Sequence, residues 1–391
     1  MNKTLVLNCG SSSVKYQLFG PGFERLAKGL VENVGGDARI THEAGAVKKT
    51  EKTSAANHRE AITRALEALG DAAAGEITVV GHRVVHGGNL TEPTLVTRES
   101  LETVRKYSKL APLHNPSNLA GIEQAQELLP HAKQVMVFDT AFHQTLPEKA
   151  FAYAVPREWS ELGVRRYGFH GPSHQFVSRR AAEILASPKA RIISCHLGAG
   201  SSVCAVRAGK SVDTSMGFTP LEGLVMGTRS GDLDSEIIHY LHKEHGLAIE
   251  EIFRALNKES GLLGVSGVSL DVRKIRDAAE KGNARCSLAL EMYAYRVAKY
   301  AGAYAAALGG LDAIAFTAGI GENDSRMRAE ICGYLAHFGV ELDAKKNAAL
   351  VGSEGEISSR ESRVCVLVIP TNEELEIARE AVSACRRSTL S

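Results

Sequence analysis

The sequence predicts a duplicated α/β protein, and three observations carry that expectation. An apolar strand-like run, a Gly/Ser break and a second strand-like run occur as LVLNCGSSSVKYQLF (5–19) and again as IISCHLGAGSSVCAV (192–206). Strand-like and helix-like segments alternate through both halves, the pattern of α/β architecture. The 391 residues exceed the size at which one hydrophobic core stops growing, so two domains are expected. Gly and Ser in each break permit a tight turn and aim N–H groups and hydroxyls at one spot, as a phosphate chain requires. Two such hairpins predict two halves gripping a nucleotide between them.

Taken in order, residues 57–70 (NHREAITRALEALG) read as a helix. Asn57 caps it, Glu60 completes a capping box, Ile62, Leu66 and Leu69 form one face, and Gly70 stops it. Residues 77–88 are a β-branched run broken by Gly, and Asn115 with Pro116 suits an N-cap and first helical position. Residues 134–143 are a buried strand whose end carries Asp139. Pro147 and Pro156 flank a stretch without periodicity, which places the domain boundary near 150–159, with a first domain over 1–150 and a second over 151–370. In the second half, residues 171–186 read as a helix, and the second hairpin starts at Arg191. Helices follow near 235–244, 249–259 and 284–308, the last stopped by Gly309 and Gly310. AIAFTAGIGEN (313–323) reads as strand, Gly-rich turn and helix, and VCVLVIP (364–370) as a last strand before a helix over 372–386.

Composition narrows the class. With 44% hydrophobic and 23% charged residues, the chain is an ordinary globular protein. A net charge of +1 without a Lys/Arg block argues against a nucleic-acid partner. Seven scattered cysteines without C-x-x-C argue against a disulfide framework or thiolate zinc site and fit a reducing cytoplasm. The five residues between Lys3 and Cys9 are too few for a signal-peptide core, and no run approaches the ~18 apolar residues of a membrane span. A soluble, cytoplasmic protein without a membrane partner is the expectation.

Unusual polar residues gather where Gly and Pro punctuate the chain: Asn8 with Ser11–Ser13 and Lys15, Arg83, His86, His114, Asp139, His143, His170 and His174. The second half adds His196, Arg229 with Asp232, Asn323 and Glu373. Strand ends are where α/β folds collect ligands. Arg83 and Arg229 read as isolated arginines in Gly-rich loops of opposite halves. Other chemistries fail: Ser12–Lys15 matches S-x-x-K, but no S-D-N or K-T-G follows, and no G-x-S-x-G elbow occurs. His82/His86 and His170/His174 lack H-E-x-x-H, and Gly and Pro make the second pair a loop. Neither a Walker G-x-x-x-x-G-K-[ST] nor an opening G-x-G-x-x-G is present.

LVLNCGSSSVKYQLF, GHRVVHGG, APLHNPSNLAGI, VFDTAFHQTLP, YGFHGPSH, HLGAGSS, MGTRSGDLD, TAGIGEN and PTNEE stand in the order and spacing of the acetate kinase (acetokinase) family. The resemblance covers essentially the whole chain. It implies the acetate and sugar kinase/heat-shock 70/actin fold, ribonuclease H-like and duplicated, with an interdomain cleft, a homodimer and a C-terminal helix (371–391) joining the first domain. It implies reversible, Mg²⁺-dependent transfer of the ATP γ-phosphoryl group to acetate, with Mn²⁺ as a substitute. Asn8, Arg83, Asp139, His170, Arg229 and Glu373 match its catalytic set, Asn8 and Glu373 on the metal. Lys15, His196, Leu197, Gly198, Ala199, Gly200, Ser201, Asp271, Val272, Arg273, Gly319, Ile320, Gly321, Glu322 and Asn323 match its nucleotide-binding segments. Val85, Leu113, Phe169 and Pro220 match its acyl pocket. Two positions depart from the family pattern: Ala199 stands where H-L-G-N-G has Asn, and Ser235 where Pro is usual.

The chemistry is coherent with these residue types. A carboxylate acceptor is ionised at neutral pH and needs no general base, so catalysis reduces to positioning and charge neutralisation. Arginines supply permanent, bidentate donors. Mg²⁺ needs one or two carboxylates and keeps several waters. Thr371 and Glu374 have capping-box spacing, which leaves Glu373 for the metal. Asp139 is expected to orient the metal's water shell or Arg229, and His170 to donate to phosphoryl oxygens. Phospho-histidine and phospho-glutamate intermediates stay open, though nothing requires them. The rivals are a propionate kinase of the same family and a nucleotide-driven binding protein of actin or heat-shock type. The second predicts a peptide-binding extension or polymer-forming insert, and neither is found.

Overall fold

A computed structural model of the chain describes residues 3–70, 77–112 and 114–390. The chain divides into two compact units, residues 1–142 with 372–391, and residues 143–371. The division falls earlier than the sequence boundary near 150 because His143 belongs to the second unit. Its ring lies 2.9 Å from both the Ser211 hydroxyl and the Phe169 carbonyl.

The first unit carries β1 (Lys3–Cys9), β2 (Ser13–Phe19), β3 (Arg25–Glu32), β4 (Arg39–Ala44), β5 (Val47–Lys52), β6 (Ile77–Val84), β7 (Thr94–Leu95) and β8 (Lys133–Phe138). Their order across the sheet is 5-4-3-2-1-6-8-7. The second carries β9 (Arg191–Leu197), β10 (Ser201–Arg207), β11 (Lys210–Thr214), β12 (Ala313–Thr317), β13 (Gly355–Glu356) and β14 (Cys365–Val368), ordered 11-10-9-12-14-13. The two sheets match strand for strand. In each, an antiparallel meander (3-2-1 or 11-10-9) continues through two parallel strands (6-8 or 12-14) to a short antiparallel edge (7 or 13). The duplication read from two hairpins thus extends over six strands, and β4 and β5 are the first unit's addition.

Alternation along β1 sorts its side chains between two cores. Leu5 and Leu7 pack with Ala61, Ile62, Ala65 and Leu69 of the helix His58–Leu69. Val6 faces the other way, toward Ile377, Ala378 and Ala381 of the helix Glu373–Leu390. Asn57 caps the first helix through the Glu60 N–H, and Glu60 reaches back to the Ala56 N–H. In the second unit Ile193, Cys195 and Leu197 pack with Leu290, Tyr293 and Val297 of the helix Ala284–Leu308. Asn283 starts that helix, and Gly309, at φ +68°, ends it as expected. All seven cysteines are free thiols, and among the described residues no helix is long and apolar enough to cross a membrane.

Four local expectations are corrected. β6 runs unbroken through Gly81, which is small because the C-terminal helix crosses there. The N-cap of the helix Asn115–Leu128 is His114, whose side chain makes no capping bond. Asn115 instead brackets the His86 backbone, accepting its N–H and donating to its carbonyl. The Gly-rich segment after β12 is itself a short helix, Ala318–Asn323. His174 lies in the helix Gly171–Ile184, not in a loop, since Pro172 occupies its first turn where no N–H is needed.

A Cβ at position 81 would lie 3.0 Å from Ile377 Cγ2 and 3.2 Å from Ala381 Cβ. Gly81→Val is therefore expected to destabilise the protein by about 1–3 kcal/mol through overpacking, read as a lower urea midpoint. An unchanged midpoint would mean that the C-terminal helix does not seat on β6.

Candidate functional site

In the first unit the parallel strands deliver polar groups to one end of the sheet. Asn8 is the penultimate residue of β1 and pairs in register with Lys15 of β2. Arg83 lies on β6 itself, not in a loop. Asp139 directly follows β8, its N–H donated to the Val84 carbonyl at 2.9 Å. Arg83 Nε and Nη2 donate to the two oxygens of Asp139, both at 2.8 Å. Its remaining Nη1 lies 3.3 Å from Glu373 Oε2. Asp139 is only 2% exposed, so this fork compensates a carboxylate withdrawn from water. Burial alone lowers the guanidinium's pKa, but the charges of Asp139, Glu373 and Glu374 outweigh it and raise it. Burial pushes the Glu373 carboxyl above its ordinary value, with Arg83 opposing.

The Thr371–Glu374 capping box does not form. Glu374, nearly buried, ion-pairs with Lys15 Nζ at 2.6 Å, and the helix start is satisfied by Asn372, which accepts the Leu375 N–H. Asn118 ties two strand ends together, donating to the Cys9 carbonyl and accepting the Val85 N–H. Val85 is half-buried beside it. Leu113 lies outside the described residues.

In the second unit the hairpin β9–β10 turns at Gly198–Ala199–Gly200. The Gly198 N–H meets the Gly200 carbonyl, and the Ala199 carbonyl accepts the Gly227 N–H, which ties the turn to the loop carrying Arg229. A Cβ at position 200 would lie 3.2 Å from Arg229 Nη2 and 3.5 Å from His170 Nε2, so both groups reach this turn. Arg229 donates to the Pro220 carbonyl at 2.8 Å. Among the described residues no carboxylate pairs with it, and burial lowers its pKa.

His170 adopts φ +58° at the start of the helix Gly171–Ile184, a left-handed conformation that a non-glycine residue holds only when its surroundings enforce it. Its Nδ1 lies 2.8 Å from the Ser202 hydroxyl, and His174 Nε2 lies 2.7 Å from the same oxygen. Ser202 has one proton, so one of the two rings must donate to it. His174 is held well below its ordinary pKa, first by burial and then by His143 and His196, and stays neutral. His196 stacks on His170 with ring centroids 4.2 Å apart. Phe169 is 1% exposed.

A cavity of about 790 Å³ is lined by Gly198, Ala199, Asp271, Arg273, Gly319 and Asn323, with Val272 and Ile320 also on its wall. The fold thus joins three segments that are far apart in sequence. Arg273 is paired with Asp271, and Arg276, also on the wall, with Asp324, so most of the charge here is neutralised. Leu197, Ser201 and Gly321 face inward, Leu197 into the core and Ser201 onto the Tyr293 hydroxyl. Glu322 turns onto backbone N–H groups, and Lys15 belongs to the other unit.

The fold and these sets define a duplicated α/β protein whose strand ends gather charged and polar groups. The family model described as the Acetokinase family matches residues 3–379, and the chain belongs to that family. It is 53% identical to the acetate kinase of Thermotoga maritima over 97% of each chain. Among solved structures it resembles the acetate kinase of Porphyromonas gingivalis (45% identity, TM-score 0.91) and a propionate kinase from Francisella tularensis (43%, TM-score 0.92). Each comparison covers 98% of this chain and all of the other.

The two arginines differ in what holds them, and stability measurements should separate them. Arg83→Ala strands the buried Asp139 carboxylate and is expected to cost about 3 kcal/mol or more, part of which Asp139→Asn restores in the double variant. Arg229→Ala is expected to leave the urea midpoint nearly unchanged. Equal losses for the two would contradict this assignment.

Proposed function

We propose that the chain is an ATP:acetate phosphotransferase, reversibly forming acetyl phosphate and ADP by direct in-line transfer. The observation that carries this reading is Arg229: a half-buried, permanently charged guanidinium with no carboxylate partner among the described residues, its Nη2 reaching the Gly-rich turn beside His170. Such a cation is compensated only when an anion arrives, and a phosphoryl group in flight is that anion. The largely neutralised cavity beside it suits a nucleoside and lies within the size range of small-molecule sites.

An acetate oxygen attacks the γ-phosphorus as the bond to the β,γ-bridging oxygen breaks, and ADP leaves with that electron pair. Arg229 and His170 donate to the equatorial oxygens, and Arg83, fixed by Asp139, orients the acetate carboxylate. Val85, Leu113, Phe169 and Pro220 are the residues that the family resemblance assigns to its methyl group. Asn8 and Glu373 offer an amide oxygen and a carboxylate, hard donors that fit Mg²⁺ or Mn²⁺. Among the described residues no three His, Cys, Asp or Glu side chains cluster as a metal site. The donor set therefore fits a cation that arrives with nucleotide and water rather than one caged by protein. When bound, it neutralises charge on the β- and γ-oxygens. A homodimer belongs to this reading, and the exposed Ile237, Tyr240 and Phe253 offer apolar surface for it.

Propionate is the second reading, favoured by the likeness to the Francisella propionate kinase. A hydroxamate assay of acyl phosphate across acetate, propionate and butyrate decides between them. A snug pocket rejects each extra methylene by roughly 1–3 kcal/mol, so kcat/KM should fall along the series and Val85→Ala should flatten it. Arg229→Ala should lower kcat by about 10²–10³. A higher kcat/KM for propionate would transfer the assignment, and no acyl phosphate from any acid would overturn it.

A further inference from the structure

Thr371, the last residue of the second unit, is gripped from two sides within that unit. Its N–H donates to Glu322 Oε1 at 3.1 Å. Its hydroxyl lies 2.8 Å from Ser173 Oγ, which lies 2.8 Å from His196 Nδ1 at the base of the hairpin β9–β10. The same Glu322 oxygen accepts the Ala318 N–H at 2.8 Å and the Thr317 hydroxyl at 3.4 Å. Ala318 stands at φ +64°, a left-handed alanine that opens the segment 319–323 and must be held against its preference.

Glu322 falls within a nucleotide-binding segment, yet a carboxylate offers phosphate oxygens no donor and repels them. An oxygen that already takes three donors is a clamp. Two segments assigned to the nucleotide, 196–201 and 319–323, therefore both close on one residue. The chain then runs through Asn372 to Glu373, whose carboxylate faces Arg83, and to Glu374, which pairs with Lys15.

We propose that Glu322 is a positioning residue: it couples occupancy of the 319–323 segment to the placement of Thr371 and, along the chain, of Glu373. The proposal rests on the functional reading above. Nucleotide that orders the segment fixes the Glu322 carboxylate, and this holds the Thr371 amide. By linkage, a fixed Thr371 favours nucleotide in return. Glu322 touches neither phosphate nor metal; it sets where Glu373 begins.

Amide hydrogen exchange over residues 369–376, with and without ADP and without metal, reads this coupling directly. ADP is expected to slow exchange of this segment in the unaltered protein. A hydrogen bond to a charged acceptor is worth a factor of about 10–100 in protection, so Glu322→Ala should abolish that slowing while calorimetry still finds ADP bound. Its apparent Mg²⁺ requirement should rise about tenfold, and Glu322→Gln, which keeps an acceptor oxygen, should recover part of both. Thr371→Val removes only the Ser173 arm and should halve the slowing, a test that holds should Glu322→Ala fold poorly. Bound ADP that leaves the segment's exchange unchanged, or equal slowing in Glu322→Ala, overturns the coupling. Absence of ADP binding to the unaltered protein overturns the nucleotide reading and the coupling with it.

Discussion

The bidentate pair between Arg83 and Asp139 is the constraint on which the first unit's site depends. It joins the ends of β6 and β8 and leaves one guanidinium nitrogen turned toward Glu373, at the start of the C-terminal helix. A buried carboxylate must be matched by a cation of fixed geometry, and the fork of an arginine matches it where a lysine would not. Three separate stretches of chain are thereby held to one charge. The second unit leaves the corresponding balance open: among the described residues Arg229 has a backbone carbonyl and no carboxylate. The two units are thus unlike in the charge balance of their arginines although their sheets are duplicated.

That duplication explains where the groups fall. Matching sheets place the penultimate residues of β1 and β9, Asn8 and His196, in equivalent positions before a Gly/Ser turn. The parallel strand β6 carries Arg83 near its end, and β8, β12 and β14 lead into Asp139, the segment 318–323 and Thr371. Ligands of open α/β sheets gather at these carboxyl ends because strands stop there and loops begin. The same scaffold carries different chemistry on each copy, since different residues stand at the strand ends.

How much was legible in the sequence follows from the range of each interaction. The hairpins and the helices over 58–69 and 284–308 were readable because turn glycines, caps and apolar spacing are local signals. Asn115 was misread because an Asn before Pro caps a helix in most contexts, and nothing nearby reveals that it brackets His86. Thr371–Glu374 carried the spacing of a capping box, but the partner that captures Glu374 is Lys15, at the other end of the chain. The left-handed backbone of His170 and Ala318 left no trace, because neither residue type announces it. The sequence singles out Arg83 and Arg229 alike as candidates, and the carboxylate that separates them is visible only once β6 and β8 are side by side.

If the transferred phosphoryl group is the counter-charge of Arg229, nucleotide affinity must register it. Calorimetric titration with a non-hydrolysable ATP analogue and with ADP, in the unaltered protein and in Arg229→Ala, tests this most directly. The analogue should bind more tightly than ADP to the unaltered protein, and Arg229→Ala should remove most of this difference while ADP affinity stays nearly the same. A preference for the analogue that survives the loss of Arg229 undiminished would contradict the phosphoryl role.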